Sequence, residues 1–193
     1  MSIETEIKIK LEDPEKIRQK ILLLGAKGLV KNGEFDIYFD TEIEGSRKGI
    51  FVKRLRLQGD KATLCYKGPR KIDGITKERL EIEDFVQDFE KMREILRAWG
   101  HKEGEKTEKI RETFEYKDCK ILIDKLPFLG FWLEIEGEKE KILEIAKGLE
   151  LDLAKTEKRH YGEIFVDFCK ETNCPFINEM TFETEKIWLD KKI

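Results

Sequence analysis

Among the glutamates of this chain that stand two residues apart, the pairs Glu4/Glu6, Glu81/Glu83 and Glu134/Glu136 fall in runs of alternating charged and apolar residues. In an extended strand, residues i and i+2 share a face, so both carboxylates of each pair project together. Carboxylate oxygens are hard ligands, and these pairs, with Asp124, suit Mg²⁺ or Mn²⁺ rather than a soft metal. A cationic set has the same spacing: Lys8 after Glu6, then Arg54 with Arg56, Lys67, Arg79, and Lys109 with Arg111. A guanidinium fork grips phosphate oxygens bidentately and lysine adds a point charge, so such a set could hold a chain of phosphates. Lys67-Gly68-Pro69 lacks the spacing of a P-loop and no GxGxxG occurs, so phosphate binding would rest on side chains.

Whether these charges share a site depends on the elements that carry them. Apolar residues alternate with them, as in Ile3, Ile7 and Ile9, or Leu55 and Leu57, or Leu133 and Ile135, which predicts strands with one apolar and one charged face. Strands are expected near 3–11, 34–40, 50–58, 61–67, 75–83, 106–116, 120–125 and 131–136. Gly59-Asp60 reads as a hairpin turn, and Lys117-Asp118 and 127–130 as connections. Asp13 caps a helix with Pro14 at its first position, Ile17, Ile21 and Leu24 on one face, and Gly25 as its stop. A second helix over about 85–99 carries Phe89, Met92, Leu96 and Trp99, and two more follow near 139–149 and 161–171, before a tail containing Pro175. Short polar turns imply antiparallel neighbours, and eight strands can close a sheet. In an open sheet the charged faces are ordinary solvated surface; in a closed barrel they become a charged interior.

The chain has 193 residues, 41% of them charged, and a net charge of −3. That is enough for one domain with a core, and it offers little general attraction to nucleic acid or anionic membrane. Three Gln and three Asn beside abundant Lys and Glu lean toward a thermophile. With no signal-type core and no apolar run of spanning length, a cytoplasmic location is expected. Cys65, Cys119, Cys169 and Cys174 form no CxxC pair and are expected to be reduced thiols. His101 and His160 read as surface or helix-end residues, and Tyr38 and Tyr66 as sheet-packing aromatics. A lysine, its pKa depressed by surrounding cations, is the more plausible general base.

The ordered segments Glu-Thr-Glu-Ile-Lys (4–8), Asp-Ile-Tyr-Phe-Asp (36–40), Arg-Leu-Arg (54–56), Leu-Cys-Tyr-Lys-Gly-Pro (64–69), Arg-Leu-Glu-Ile-Glu (79–83), Lys-Ile-Arg (109–111) and Leu-Gly-Phe-Trp-Leu-Glu-Ile-Glu (129–136) resemble the CYTH family, the triphosphate tunnel metalloenzymes. The length and layout look most like its class IV adenylyl cyclase branch. The resemblance spans about residues 3–165 and implies an α+β fold: a closed eight-stranded antiparallel barrel with a charged interior and helices outside. It implies a domain over 1–170 with a C-terminal tail over 171–193. It also implies Glu4, Glu6, Glu134 and Glu136 as metal ligands, with Glu81, Glu83 and Asp124 close by. Lys8, Arg54, Arg56, Lys67, Lys109 and Arg111 would hold the phosphates, and Arg79 either the phosphates or the acids. The implied partner is ATP, inorganic triphosphate or thiamine triphosphate, and the implied activity is adenylyl cyclase or triphosphatase, with a non-catalytic binding module as the lesser alternative. Cys65 stands where a hydroxyl residue is common and His160-Tyr161 where Ser-Tyr is usual. The cationic cluster is expected to repel itself without ligand, so losing Arg56 should cost little stability. Any homodimer would form through the helices or the tail, because a closed barrel has no free edge.

Overall fold

The computed structural model describes residues 2–47 and 49–191. Its elements run β1 (Ser2–Leu11), α1 (Pro14–Leu23), β2 (Lys27–Phe39), α2 (Glu44–Arg47), β3 (Val52–Gln58), β4 (Lys61–Asp73), β5 (Thr76–Val86), α3 (Phe89–Ala98), β6 (Glu103–Tyr116), β7 (Cys119–Leu126), β8 (Gly130–Glu136), α4 (Lys139–Gly148), α5 (Tyr161–Thr172), β9 (Glu179–Met180) and α6 (Phe182–Asp190). The first eight strands pair in the order β2-β3-β4-β5-β1-β8-β7-β6, and β2 pairs again with β6. That last ladder closes the sheet into an antiparallel barrel.

Local chemistry sets several boundaries as expected. Asp13 accepts a hydrogen bond from the Lys16 amide with Pro14 at the first helical position, and Gly25 supplies the positive φ that ends α1. Lys117 and Asp118 both adopt left-handed backbone, which suits the two-residue hairpin between β6 and β7. Other boundaries follow from strand pairing. β2 starts at Lys27, well before Glu34, because its first half pairs with β6 from Glu115 back to Lys109. β4 runs past Pro69, which sits where the register to β5 shifts between Lys67 and Arg70, a bulge that tolerates a residue without an N–H. β5 continues to Val86, paired with Ala62, so α3 begins only after the Asp88 cap.

Three apolar clusters pack outside the barrel. α1 and α4 cover β1, β7 and β8 through Ile21, Ile142 and Ile145 against Ile7, Ile121, Ile123, Leu133 and Ile135. α3 covers β2 and β3 through Phe89 and Leu96 against Ile37, Phe39 and Leu55. In the tail, β9 pairs with Lys106 and Thr107 of β6, an edge left free because β7 pairs β6 only from Ile110 onward. Cys169, Phe176 and Trp188 join Leu126, Leu129 and Trp132 in the third cluster, so the tail packs back on the barrel.

Apolar alternation did not always mean burial. Ile3 is 74% exposed and Ile82 and Tyr66 also face outward, because the outer surface where β4, β5 and β1 meet lies between α3 and α4. Tyr66 is therefore not a packed aromatic, and Trp99, which caps α3 at its C-terminus, is 72% exposed. No helix among the described residues is long and apolar enough to cross a membrane.

This distribution gives a stability contrast. Ile135→Ala empties a fully buried position between sheet and helices and should cost about 2–5 kcal/mol in chemical denaturation. Ile3→Ala, at a position as apolar in sequence, should change stability by less than about 0.5 kcal/mol.

Candidate active site

Closure of the barrel turns the charged faces inward on one another. On β1, Glu4 and Glu6 lie opposite Arg79 and Lys77 of β5, while on its other side Glu6 and Lys8 lie opposite Glu136 and Glu134 of β8. The interior cavity is about 180 Å³ and is lined by six glutamates and nine lysines and arginines, together with Tyr38, Val52, His160 and Tyr161. Thirteen of the fourteen charged residues singled out in the sequence line it; Asp124 does not.

The carboxylates divide into three arrangements. Glu4, Glu6 and Glu136 bring one oxygen each within 4.8 Å of one another. Glu6 and Glu136 are direct cross-strand partners, an opposition of like charges that is unfavourable until a cation lies between them. Burial, reinforced by Glu4, Glu134 and Glu6 and opposed by Arg111, pushes the Glu136 carboxyl up to about 7. Three convergent hard oxygens under mutual repulsion fit a divalent metal of the Mg²⁺ or Mn²⁺ type. Gly137 ends β8 just after this carboxylate, where a Cβ would stand 2.4 Å from the Cys119 sulfur.

Glu134 is drawn instead to Lys8, at 3.4 Å, and to Arg111. Although burial opposes its charged form, Lys8 and Arg111 hold its carboxyl well below the usual range. Asp124, fully buried, is clasped by Arg111 at 2.6 Å and Lys109 at 3.1 Å. Its place is behind the bases, outside the carboxylate trio. Glu81 and Glu83 form a separate group with Cys65, whose thiol donates to Glu81 at 3.2 Å. Lys67 bridges Glu81 and Glu4, at 3.1 and 2.6 Å, and thereby links the two groups.

The bases do not stand as a self-repelling cluster. Arg56 makes a bidentate pair with Asp36, at 2.7 and 2.8 Å, and an ion pair with Glu34 at 2.8 Å. Burial works against both acids, yet Lys109, Arg111 and Arg56 hold Glu34 at about 2, and Arg56 and Arg54 hold Asp36 lower still. The expectation that Arg56 is dispensable for stability is therefore corrected: its loss would take from buried Asp36 its bidentate partner and leave buried Glu34 with Lys109. Arg54 reaches Glu83 at 3.1 Å, while its Nε is buried with no hydrogen-bond partner. Arg79 donates to the backbone carbonyls of Gly68 and Lys67 rather than to an acid.

Several site residues escaped the sequence reading. Lys77 lines the cavity one step before Arg79 on the same face and pairs with Glu6; reading that alternation two residues further back would have found it. Glu34, Asp36 and Tyr38 alternate in the same way along β2. Tyr38 faces the cavity, its hydroxyl donating to Asp36 at 3.3 Å, so it is not simply a packing aromatic. His160 does cap a helix end, its Nδ1 accepting from the Gly162 amide at 3.1 Å, but it also lines the tunnel edge-on to Tyr38. Burial, with Lys8, Lys77, Arg79 and Arg54 nearby, holds it neutral. Beside it the Lys8 ammonium lies 4.0 Å from the centre of the Tyr161 ring. His101 lies elsewhere, bound to Asp40 at 2.7 Å.

A closed antiparallel barrel with helices outside, holding an acid trio within a wall of bases, makes a tunnel fold whose interior carries both signs of charge. The family profile of the CYTH domain matches residues 2–164, and the chain belongs to that family. It is 37% identical over 172 residues to a Methanocaldococcus jannaschii protein named "Putative adenylate cyclase", covering 84% of this chain and 98% of the other. The PH1819 protein of Pyrococcus horikoshii is 31% identical, with a TM-score of 0.71 over 86% of this chain and 99% of that one. A Hippeastrum protein, described as a "putative adenylyl cyclase" with a dominant triphosphatase activity, shares the fold at 16% identity and a TM-score of 0.60, covering 86% of this chain and 96% of that one.

Two measurements test this geometry. Because Glu136 must lose its proton to bind a cation and titrates near 7, Mn²⁺ affinity by calorimetry should rise up to roughly tenfold per pH unit below about pH 7 and level off above about pH 8. Glu136→Gln should weaken binding and flatten that profile; an unaltered profile would remove Glu136 from the ligand set. Arg56→Ala should destabilise the fold by about 3–5 kcal/mol, since it leaves buried charges uncompensated, and denaturant unfolding reads this directly.

Proposed function

We propose that the protein is a divalent-metal-dependent enzyme acting on the triphosphate of a nucleotide, converting ATP to cyclic AMP and pyrophosphate in the manner of a class IV adenylyl cyclase. The observation that carries this reading is the convergence of Glu4, Glu6 and Glu136 beside the bases Lys8, Arg54, Lys67, Lys77 and Arg79 in one enclosed cavity. The acid trio would hold Mg²⁺ or Mn²⁺, which when bound neutralises phosphate charge and orients the chain of phosphates. The surrounding guanidinium and ammonium groups would bind the remaining oxygens and stabilise the charge that builds up in an in-line displacement. The name of the relative at 37% identity supports the cyclase reading.

Lys77 is the residue best placed to move the proton. Burial lowers its pKa, and in the free protein Glu6 is its counter-ion. Once Glu6 is engaged as a metal ligand, Lys77 loses that counter-ion, and burial then favours the neutral amine. A neutral amine can accept the proton of an attacking hydroxyl. A ribose 3′-hydroxyl attacking the α-phosphorus gives cyclic AMP and pyrophosphate; water attacking a terminal phosphorus gives orthophosphate. The second outcome is the triphosphatase reading, and the Hippeastrum neighbour favours keeping it.

A product assay tests both readings. ATP, inorganic triphosphate and thiamine triphosphate are each offered with Mg²⁺ and with Mn²⁺, at neutral and alkaline pH and at elevated temperature. Cyclic AMP with pyrophosphate is the expected outcome, with inorganic triphosphate competing against ATP. Orthophosphate without a cyclic product would establish the triphosphatase instead. Triphosphate that neither reacts nor competes would overturn the tunnel reading itself.

A further inference from the structure

Two of the four cysteines are brought together by the way α5 ends. Asn173 adopts the left-handed conformation at φ 55°, and its amide turns back to the Cys169 carbonyl. The next amide, that of Cys174, also donates to the Cys169 carbonyl, at 3.0 Å. This is the six-residue closure of a Schellman motif, which places the side chain after the left-handed residue against one in the last helical turn. In most helices that contact is between two hydrophobic side chains. Here both positions are cysteine, both are buried, and both belong to the cluster formed by α5, α6 and the ends of β7 and β8. Both thiols are free in the structure, and they lie near enough for Cys174 to influence the ionisation of Cys169.

We propose that Cys169 and Cys174 form an intrachain disulfide, a covalent staple that fixes the last turn of α5 to the start of the C-terminal tail. The backbone closure holds the two residues on adjoining turns of chain, the Cys174 amide 3.0 Å from the Cys169 carbonyl, which is the proximity a disulfide needs. Cys65 and Cys119 have no such relation. Cys65 faces Glu81 in the tunnel, and Cys119 lies in the cluster under α1 and α4.

The chemistry is thiol–disulfide exchange with a small-molecule disulfide as oxidant. One thiol loses its proton and attacks the reagent, forming a mixed disulfide and releasing one reagent thiolate. The second thiol, deprotonated in turn, attacks the protein-side sulfur and expels the other reagent thiolate. The protein loses two hydrogens and two electrons, and the reagent disulfide is reduced to two thiols. Burial and the neighbouring Cys174 push the Cys169 thiol up to about 12, so exchange is slow at neutral pH and should accelerate roughly tenfold per pH unit through the mildly alkaline range.

The ring closes around the segment from which β9 and α6 depart, so its effect falls on attachment of the tail. The tunnel wall is touched only at the other end of α5, by His160 and Tyr161. The oxidised protein should gain roughly 4–8 °C in its unfolding midpoint, with triphosphate binding unaltered.

The test uses the intact protein, incubated folded with glutathione disulfide at pH 8.5, blocked with iodoacetamide in denaturant, and digested with trypsin without reduction. Trypsin cuts after Lys170, between the two cysteines, so the bond appears as two peptides joined in one species that reductant separates. Expected are that cross-linked species, alkylated Cys65 and Cys119, and a raised unfolding midpoint that falls back in dithiothreitol. Alkylation of all four cysteines, or a cross-link that involves Cys65 or Cys119, would overturn the proposal. Because the readout is peptide mapping of the unaltered sequence, it does not depend on whether a serine variant folds.

Discussion

Charge matching inside a closed barrel is the constraint on which the rest of this structure depends. Removing an ionised side chain from water costs several kcal/mol even after relaxation, and the tunnel wall is lined by fifteen ionisable Glu, Lys and Arg side chains. The arrangement meets that cost with a second row of acids behind the bases. Glu34 and Asp36 hold Arg56, and Asp124 holds Arg111 and Lys109. These inner acids do not line the cavity; they orient the groups that do.

The places where matching fails are as informative as those where it succeeds. Glu6 opposes Glu136 across the β1–β8 ladder with Glu4 close by, and the Arg54 Nε is buried without a partner. Convergent carboxylates on one side and a buried surplus donor on the other are the features that the proposed metal-bound anion would complete. Local frustration of this kind is expected where a ligand completes the network.

The helices serve the tunnel by keeping its outer wall dry and fixed. α1 and α4 clamp the strands that carry the carboxylate trio, while α3 backs the strands that carry Arg54, Arg56 and their acids. α5 does more, since its first residues bring the His160 cap and the Tyr161 ring to the tunnel, with Tyr161 against Lys8. The tail that follows completes the cluster under α5 and occupies the stretch of β6 that β7 leaves bare.

Period-two alternation was enough to find the strands and to show which residues share a face, because side-chain direction along a strand is a local property. It identified Glu4, Glu6 and Lys8, the Arg54/Arg56 pair and the acids of β5 and β8 as candidates for one site, and turn and cap residues marked α1 and the hairpins. Alternation could not say that the sheet closes, since closure rests on the β2–β6 ladder, whose partners range from Lys27 with Glu115 to Phe39 with Glu103, far apart in the chain. For the same reason it could not tell Glu136, which joins the acid trio, from Glu134 two residues earlier, which is taken by Lys8 and Arg111, or see that Asp124 stands behind the wall. Nor could it place Ile3, whose sequence context matches that of Ile7 but whose outer face no helix covers. Residue type and spacing determined which groups could act. Long-range pairing alone decided which of them meet, because only contact sets the balance of burial and charge on each group.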